Sequence, residues 1–295
     1  MATTSDELKP SAGDKPKPSD EEIRAAGGVV IGPGSLGQKF TGALATAGDM
    51  AHFSLAALRA IPKLRLYPSE VFRQAGLLIR SNAIVVFFML FMLGALLGIT
   101  GTFLFEGIGL ESYVAAIPAV PMMRGVTEIV FGWVLAAKAG CGIVAELGAM
   151  RISEEIDAME VMGVRSIPFL IGTRVLAAVM VLPFMFVTAL CVHFVGSRLF
   201  FVDLLDAVSP GGFDNVLFLM QDGRDLAVAI LWGTLVGFIV TVVACFYGYN
   251  ASGGPVGVGR NTAQSMLVNL VLISLSSMVL AQIFYANVLN EAFGT

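Results

Sequence analysis

The sequence predicts an all-α, polytopic membrane protein with five transmembrane helices, N-terminal interfacial helices and a short cytoplasmic helix between spans two and three. Three observations carry this. First, 56% of the 295 residues are hydrophobic and 14% are charged, where a soluble domain has about 25% charged. Second, mean hydropathy is +0.82. Third, five apolar runs, at 82–105, 115–138, 167–195, 226–248 and 263–288, are long enough to cross a ~30 Å hydrocarbon layer as helices of ~20 residues. Lipid is then the main solvent, and each span must satisfy its own backbone, which favours helix. A soluble enzyme of ordinary type is excluded.

Taken in order, residues 1–35 carry Pro10, Pro16, Pro18 and Pro33 among mixed charges, and are expected to form a disordered tail. Residues 36–81 mix Phe40, Leu44, Phe53 and Leu58 with small and charged residues. They are expected to lie as amphipathic helices in the membrane interface, with Ser69 capping a short one through Arg80. An additional span at 40–62 is the alternative. Residues 82–295 form the membrane domain.

Fifteen of the 18 Lys and Arg fall on the N-terminal side of the spans, and only Arg124, Arg198 and Arg224 on the other. The positive-inside rule therefore puts the N-terminus in the cytoplasm and the C-terminus outside. Small residues recur at four-residue spacing, as Gly94 and Gly98 in span one and Gly233, Gly237, Thr241 and Cys245 in span four. Such stripes let helices approach closely, within the chain or across a dimer seam. Cys141, Cys191 and Cys245 lie in or beside apolar runs, which argues against a disulfide scaffold and a metal site. The net charge of −4 gives no expectation of nucleic-acid binding.

The most informative stretch is Ser153 to Gly163. Ser153 is read as a helix N-cap, with Glu154, Glu155 and Asp157 in the first turn, Glu160 further on and Gly163 as terminator. Ile152, Ile156, Met159 and Met162 recur every three or four residues as an apolar face. A helix this short is marginal alone and needs a surface. An anionic leaflet would repel its acids, so another protein is the favoured partner over the membrane or its own chain.

Within the spans, Arg124 and Glu128 are four apart and are expected to pair. Glu146, beyond span two, is expected to brace this region through Arg151 or Arg174. His193 reads as a packing residue. No spacing supports catalysis, and no G-x-x-x-x-G-K-[S/T] phosphate loop is present.

Residues 136–183 hold Ala136-Ala137-Lys138-Ala139-Gly140, Ala145-Glu146-Leu147-Gly148, Glu155-Ile156-Asp157-Ala158-Met159, Val161-Met162-Gly163 and Arg174-Val175-Leu176-Ala177. A second segment holds Cys245-Phe246-Tyr247-Gly248 and, further on, Gly254-Pro255-Val256-Gly257-Val258-Gly259-Arg260-Asn261-Thr262. Together, over most of residues 70–290, they resemble the MlaE/YrbE permeases, the membrane subunits of MCE-associated ABC lipid transporters. The long tail and the acidic Glu-Glu-Ile-Asp-Ala are most similar to the actinobacterial YrbE branch. The sequence departs from the family pattern at Lys138, where Arg is usual, around Arg124, where Gly125, Thr127 and Glu128 break an Arg-Glu-x-Gly-Pro element, and at Thr173, where Pro is usual.

The resemblance implies a permease subunit without catalytic residues, in the cell's inner membrane. An ABC ATPase would carry ATP and magnesium and dock on the 153–163 coupling helix. A second YrbE-like permease, a heterodimer rather than a homodimer, and MCE-domain proteins outside the membrane would complete the assembly. It also implies a lipid cavity, for which Phe88, Phe91, Leu97, Phe103, Arg124, Glu128 and Lys138 are the candidates. A fatty acid, phospholipid or sterol would suit such a cavity. The rival readings are a secondary carrier or channel, and a non-transporting scaffold that anchors MCE proteins.

Overall fold

In the computed structural model, residues 46, 48–55, 67–107, 109 and 113–293 are described, the last helix with side chains to Tyr285. The expectation for residues 1–35, and most of that for 36–66, lies outside them. Every regular element among the described residues is helical, and five helices are long and apolar enough to cross a membrane. The chain is a multi-pass membrane protein.

The first long helix, α1 (Pro68–Glu106), corrects the expectation of a separate Ser69-capped interfacial helix. It is one 39-residue helix whose N-cap is Tyr67, with Pro68 at the first position and no side-chain cap. The reason is a single buried stripe, Val71, Ala75, Asn82, Val86 and Leu90, that runs unbroken through the expected boundary. Upstream, residues 48–55 are helical, and Phe53 packs edge-on against Phe246 at 5.5 Å between ring centroids.

The second span, α2 (Ala116–Ile152), runs past 138 and carries Glu146 and Arg151 on the same helix. Two π turns, Met122–Val126 and Ala136–Gly140, interrupt it. The first contains a kink at Arg124 and at Gly125, whose φ of 146° is open only to glycine. A Cβ there would lie in van der Waals contact with the Trp232 ring at 3.4 Å, so it is the backbone conformation and not space that demands glycine.

A tight turn leads to α3 (Glu155–Val161). Next comes α4 (Ile167–Leu204), then α5 (Pro210–Leu219), α6 (Gly223–Tyr249) and α7 (Gly254–Phe293). Nothing in the sequence reading anticipated α5, which starts with Ser209 accepting a bond from the Gly212 amide at 3.2 Å and Pro210 at its first position.

α1 packs most extensively on α4. A side chain at Gly94 would strike the His193 carbonyl, one at Gly98 the Phe200 side chain, and one at Gly196 the Phe91 carbonyl. In the same way Gly233 faces Phe186 and Gly237 faces Leu182. The small-residue stripes therefore serve close packing within the chain. The central core includes Leu90, Phe131, Phe186, Leu190, Trp232 and Val236. One end of the bundle is closed by Val114, Ala119, Phe201, Phe213 and Leu217 around α5. The other end is closed by Leu147, Ile156, Leu170, Val175, Val242 and Cys245 around α3.

Candidate functional site

The α3 end differs from its expectation in three ways. Ser153 does not start α3; it terminates α2, donating to the Ala149 carbonyl at 2.9 Å. Glu154 follows in a left-handed conformation with φ of 59°, and α3 is only seven residues long. Its C-terminus does obey the sequence: Gly163 has φ of 83°, with the Gly163 amide donating to Glu160 and the Val164 amide to Met159, each at 3.0 Å.

The apolar face is the third difference. Ile152 belongs to α2. Ile156 is fully buried, and Met159 packs beside it in the cluster of α2, α4 and α6 residues. Met162 is 73% exposed and Val161 90%. The surface that holds α3 is therefore its own chain, because a seven-residue helix at a sharp turn can turn only one side, Ile156 and Met159, onto the bundle. Glu154, Glu155, Asp157, Glu160, Val161 and Met162 form the outward side.

Polar contacts tie α3 down further. The Arg151 guanidinium donates to Asp157 at 2.6 Å and lies 5.9 Å from the Tyr249 ring centroid. Ser166 bonds Glu160 and also the Tyr249 hydroxyl, the latter at 2.9 Å. Ser166 and Tyr249 were not singled out in the sequence, because each is unremarkable until α4 and α6 converge.

Of the two partners expected for Glu146, Arg151 pairs with Asp157. Glu146 meets the other, Arg174, at 2.8 Å. Arg174 also donates to the Leu170 carbonyl at 3.0 Å. This pair joins α2 to α4 directly behind α3. Beside it, a cavity of about 350 Å³ opens between α1, α2, α4 and α6 and is lined by Lys138 along with Glu146 and Arg174.

At the opposite end the expected Arg124–Glu128 pair does not form. The kink turns the Arg124 side chain toward α6, where it bonds Asp225 at 2.8 Å through Nε and 2.7 Å through Nη2. Its guanidinium also lies 5.4 Å from the Tyr285 ring centroid. Glu128 is fully buried and neither carboxylate oxygen has a hydrogen-bond partner among the described residues. Phe88 and Phe103 are exposed on α1, Phe91 and Leu97 are half-buried, and none of the four lines the cavity near Lys138. Among the described residues no cluster of His, Cys, Asp and Glu is arranged to hold a metal ion.

The pattern of the Permease MlaE family matches residues 71–283, which takes in α3, the middle three spans and nearly all of the first and last. The chain belongs to the MlaE permease family. It is 27% identical to a probable ABC transporter permease protein of Rickettsia bellii over 85% of this chain and 96% of that one. It is 26% identical to the intermembrane phospholipid transport system permease protein MlaE of Haemophilus influenzae, over 84% of this chain and 94% of its relative. The chloroplastic protein TRIGALACTOSYLDIACYLGLYCEROL 1 of Arabidopsis thaliana is 29% identical over 61% of this chain and 51% of its own length. This MlaE-family chain is a membrane permease subunit of the ABC transporter type.

Proposed function

We propose that this MlaE-family permease moves lipid between membranes, that a separate ABC ATPase hydrolyses the ATP with its magnesium, and that α3 receives the resulting motion. One observation carries the reading. α3 and its two flanking residues expose Glu154, Glu155, Val161 and Met162, while buried Ile156, the Arg151–Asp157 pair and the Ser166 bonds to Glu160 and Tyr249 lock the helix to α2, α4 and α6. A force on α3 therefore reaches three spans through packed and hydrogen-bonded contacts rather than through a loose loop. The Glu146–Arg174 bridge braces the same junction. Rigid-body displacement of packed helices is an established way to move a site remote from the motor.

On this reading the α3 end lies in the cytoplasm and the C-terminus outside, in the cell's inner membrane, which the excess of Lys and Arg on the N-terminal side supports. A second YrbE-like permease and MCE-domain proteins complete the transporter. Exposed Phe88 and Phe103 on α1 suit acyl chains or that second permease. Arg124, part-exposed at the outer end, suits a lipid headgroup leaving or entering the cavity between the two permeases, whereas Glu128 is too deeply buried to reach one.

Replacing Glu155 with Lys together with Met162 with Asp tests this reading, since both side chains are exposed and the fold should survive. Co-purification of the ATPase and lipid transfer in reconstituted vesicles should both fall. Unchanged co-purification would remove α3 from the interface. Lost co-purification with lipid transfer intact would favour a scaffold.

A further inference from the structure

The bend in α2 leaves two buried polar side chains beside it without partners. Glu128 is fully covered, and neither carboxylate oxygen accepts a hydrogen bond among the described residues. Thr127 is equally covered, and its hydroxyl bonds nothing among them. Elsewhere in the long helices Thr102, Thr173, Thr188, Thr234, Thr241 and Thr262 each donate to the carbonyl four residues earlier. For Thr127 that carbonyl belongs to Met123, on the far side of Arg124 and Gly125, whose backbone angles are not helical. Buried polar groups are nearly always satisfied, so two orphans next to one bend call for a common cause.

We propose that α2 has two settings about Gly125: a bent one in which Arg124 holds Asp225 of α6, and a straight one in which it holds Glu128. The bend is then a two-position latch at the α5 end of the bundle. Straightening serves both orphans together. It brings Arg124 and Glu128, four apart, onto one face, and it returns the Met123 carbonyl to the Thr127 hydroxyl. Glycine permits both settings, since it accepts the φ of 146° in the bent one and ordinary helical angles in the straight one.

The charges allow one pairing at a time. α1, α6 and α7 pack on this part of α2. Among the described residues, α1 has no ionisable side chain between Arg80 and Glu106, and α7 none between Arg260 and Tyr285. On α6, Asp225 is buried against Arg124, while Arg224 is exposed. One guanidinium thus stands between two buried carboxyl groups and can neutralise only one of them at close range. In the bent setting it also lies 5.4 Å from the Tyr285 ring centroid, so it ties α2 to α6 and α7 together. The straight setting releases both and loosens the bundle at the end remote from α3.

Thermal midpoints of the full chain in mild detergent test the latch without ATPase, nucleotide or lipid transfer, so its failure is separate from that of the coupling reading. Two substitutions drive α2 straight by different routes. Gly125→Ala penalises the φ of the bent setting, and Asp225→Asn removes its carboxylate. Glu128→Gln should shift the midpoint of the unaltered chain by about 1 °C or less, because Glu128 is idle there. In both the Gly125→Ala and the Asp225→Asn chains it should lower the midpoint by on the order of 5 °C, because Arg124 then depends on it. Amide exchange reads the bend directly. The Val126 amide reaches the Pro121 carbonyl at a long 3.4 Å; a regular helical bond replaces that contact on straightening. Exchange at Val126 should therefore slow several-fold in Asp225→Asn and recover when Glu128→Gln is added. This second measurement decides the matter if Gly125→Ala does not fold. An equal effect of Glu128→Gln in all three chains, or unchanged exchange at Val126 in Asp225→Asn, would overturn the proposal. A cost confined to the Asp225→Asn chain, with none in a folded Gly125→Ala chain, marks a charge effect without movement and overturns it too.

Discussion

Glu146 and Arg174 meet at 2.8 Å across the junction of α2 and α4, with the Arg174 side chain 4% exposed and the Glu146 side chain 50% exposed. The asymmetry decides what each partner does. The arginine has left water and depends on the carboxylate for compensation; the carboxylate keeps much of its hydration. Glu146→Gln should therefore destabilise the protein by about 1–3 kcal/mol, the range for removing one partner of a buried charged hydrogen bond. The check is the thermal midpoint in detergent. Combining Glu146→Leu with Arg174→Met should recover part of the loss, because it removes the stranded charge too. An unaltered midpoint in Glu146→Gln would show that the bridge adds nothing.

The α1–α4 crossing makes a second prediction. Gly94→Ala puts a methyl group against the His193 carbonyl, a backbone atom that cannot move aside cheaply. A loss of about 1–3 kcal/mol is expected from such overpacking. Gly76→Ala, earlier on the same helix, meets nothing within 4 Å. It should be neutral or stabilising by up to about 1 kcal/mol through helix propensity. Parallel thermal unfolding of the two variants compares them directly, and equal behaviour would contradict the close crossing.

At the other end, Asp225→Arg alone should destabilise by placing two cations together, and adding Arg124→Asp should restore most of the midpoint. The contact spans α2 and α6 at 2.7 Å. If the double exchange fares no better than the single one, the pair is not the contact that matters there.

Tyr249→Phe removes the hydroxyl that bonds Ser166 but leaves the ring beside Phe53 and Arg151. Under the coupling reading, ATPase association should persist while lipid transferred per ATP hydrolysed falls several-fold. Ile156→Asp is the harsher companion: it buries an unpaired carboxylate at a fully covered position and should cost several kcal/mol or prevent folding. A Tyr249→Phe protein with undiminished transfer per ATP would show that the hydroxyl is not part of the transmission.

The five spans were legible because hydropathy over twenty residues is a strong signal, and Gly163 was legible because a helix stop needs a positive φ. The boundaries were not. Charged Glu70, Arg73 and Arg80 suggested an end to hydrophobic burial, yet Val71, Ala75 and Asn82 keep one narrow side of α1 against its neighbours while those charges stay outside it. Arg124 misled for a different reason. Four-residue spacing with Glu128 implies a shared face only in a straight helix, and Gly125 breaks the helix between them. Its true partner, Asp225, stands 101 residues away and can be found only once the helices are packed. Ser209-Pro210-Gly211-Gly212 carries a helix start signal, but the ten residues of α5 are too few to stand out by hydropathy as a span.

The uninterrupted course of α1 has a mechanical corollary. At about 1.5 Å per residue, its 39 residues extend roughly 58 Å, well beyond the ~30 Å hydrocarbon layer. A long part of the rod must therefore stand clear of the oily slab, like an oar shaft beyond its rowlock. Because α1 is seated along α4 at Gly94 and Gly196, a sideways nudge on its dry-land stub would swing the far blade, giving any body that grips Pro68 to Arg80 leverage over the opposite leaflet.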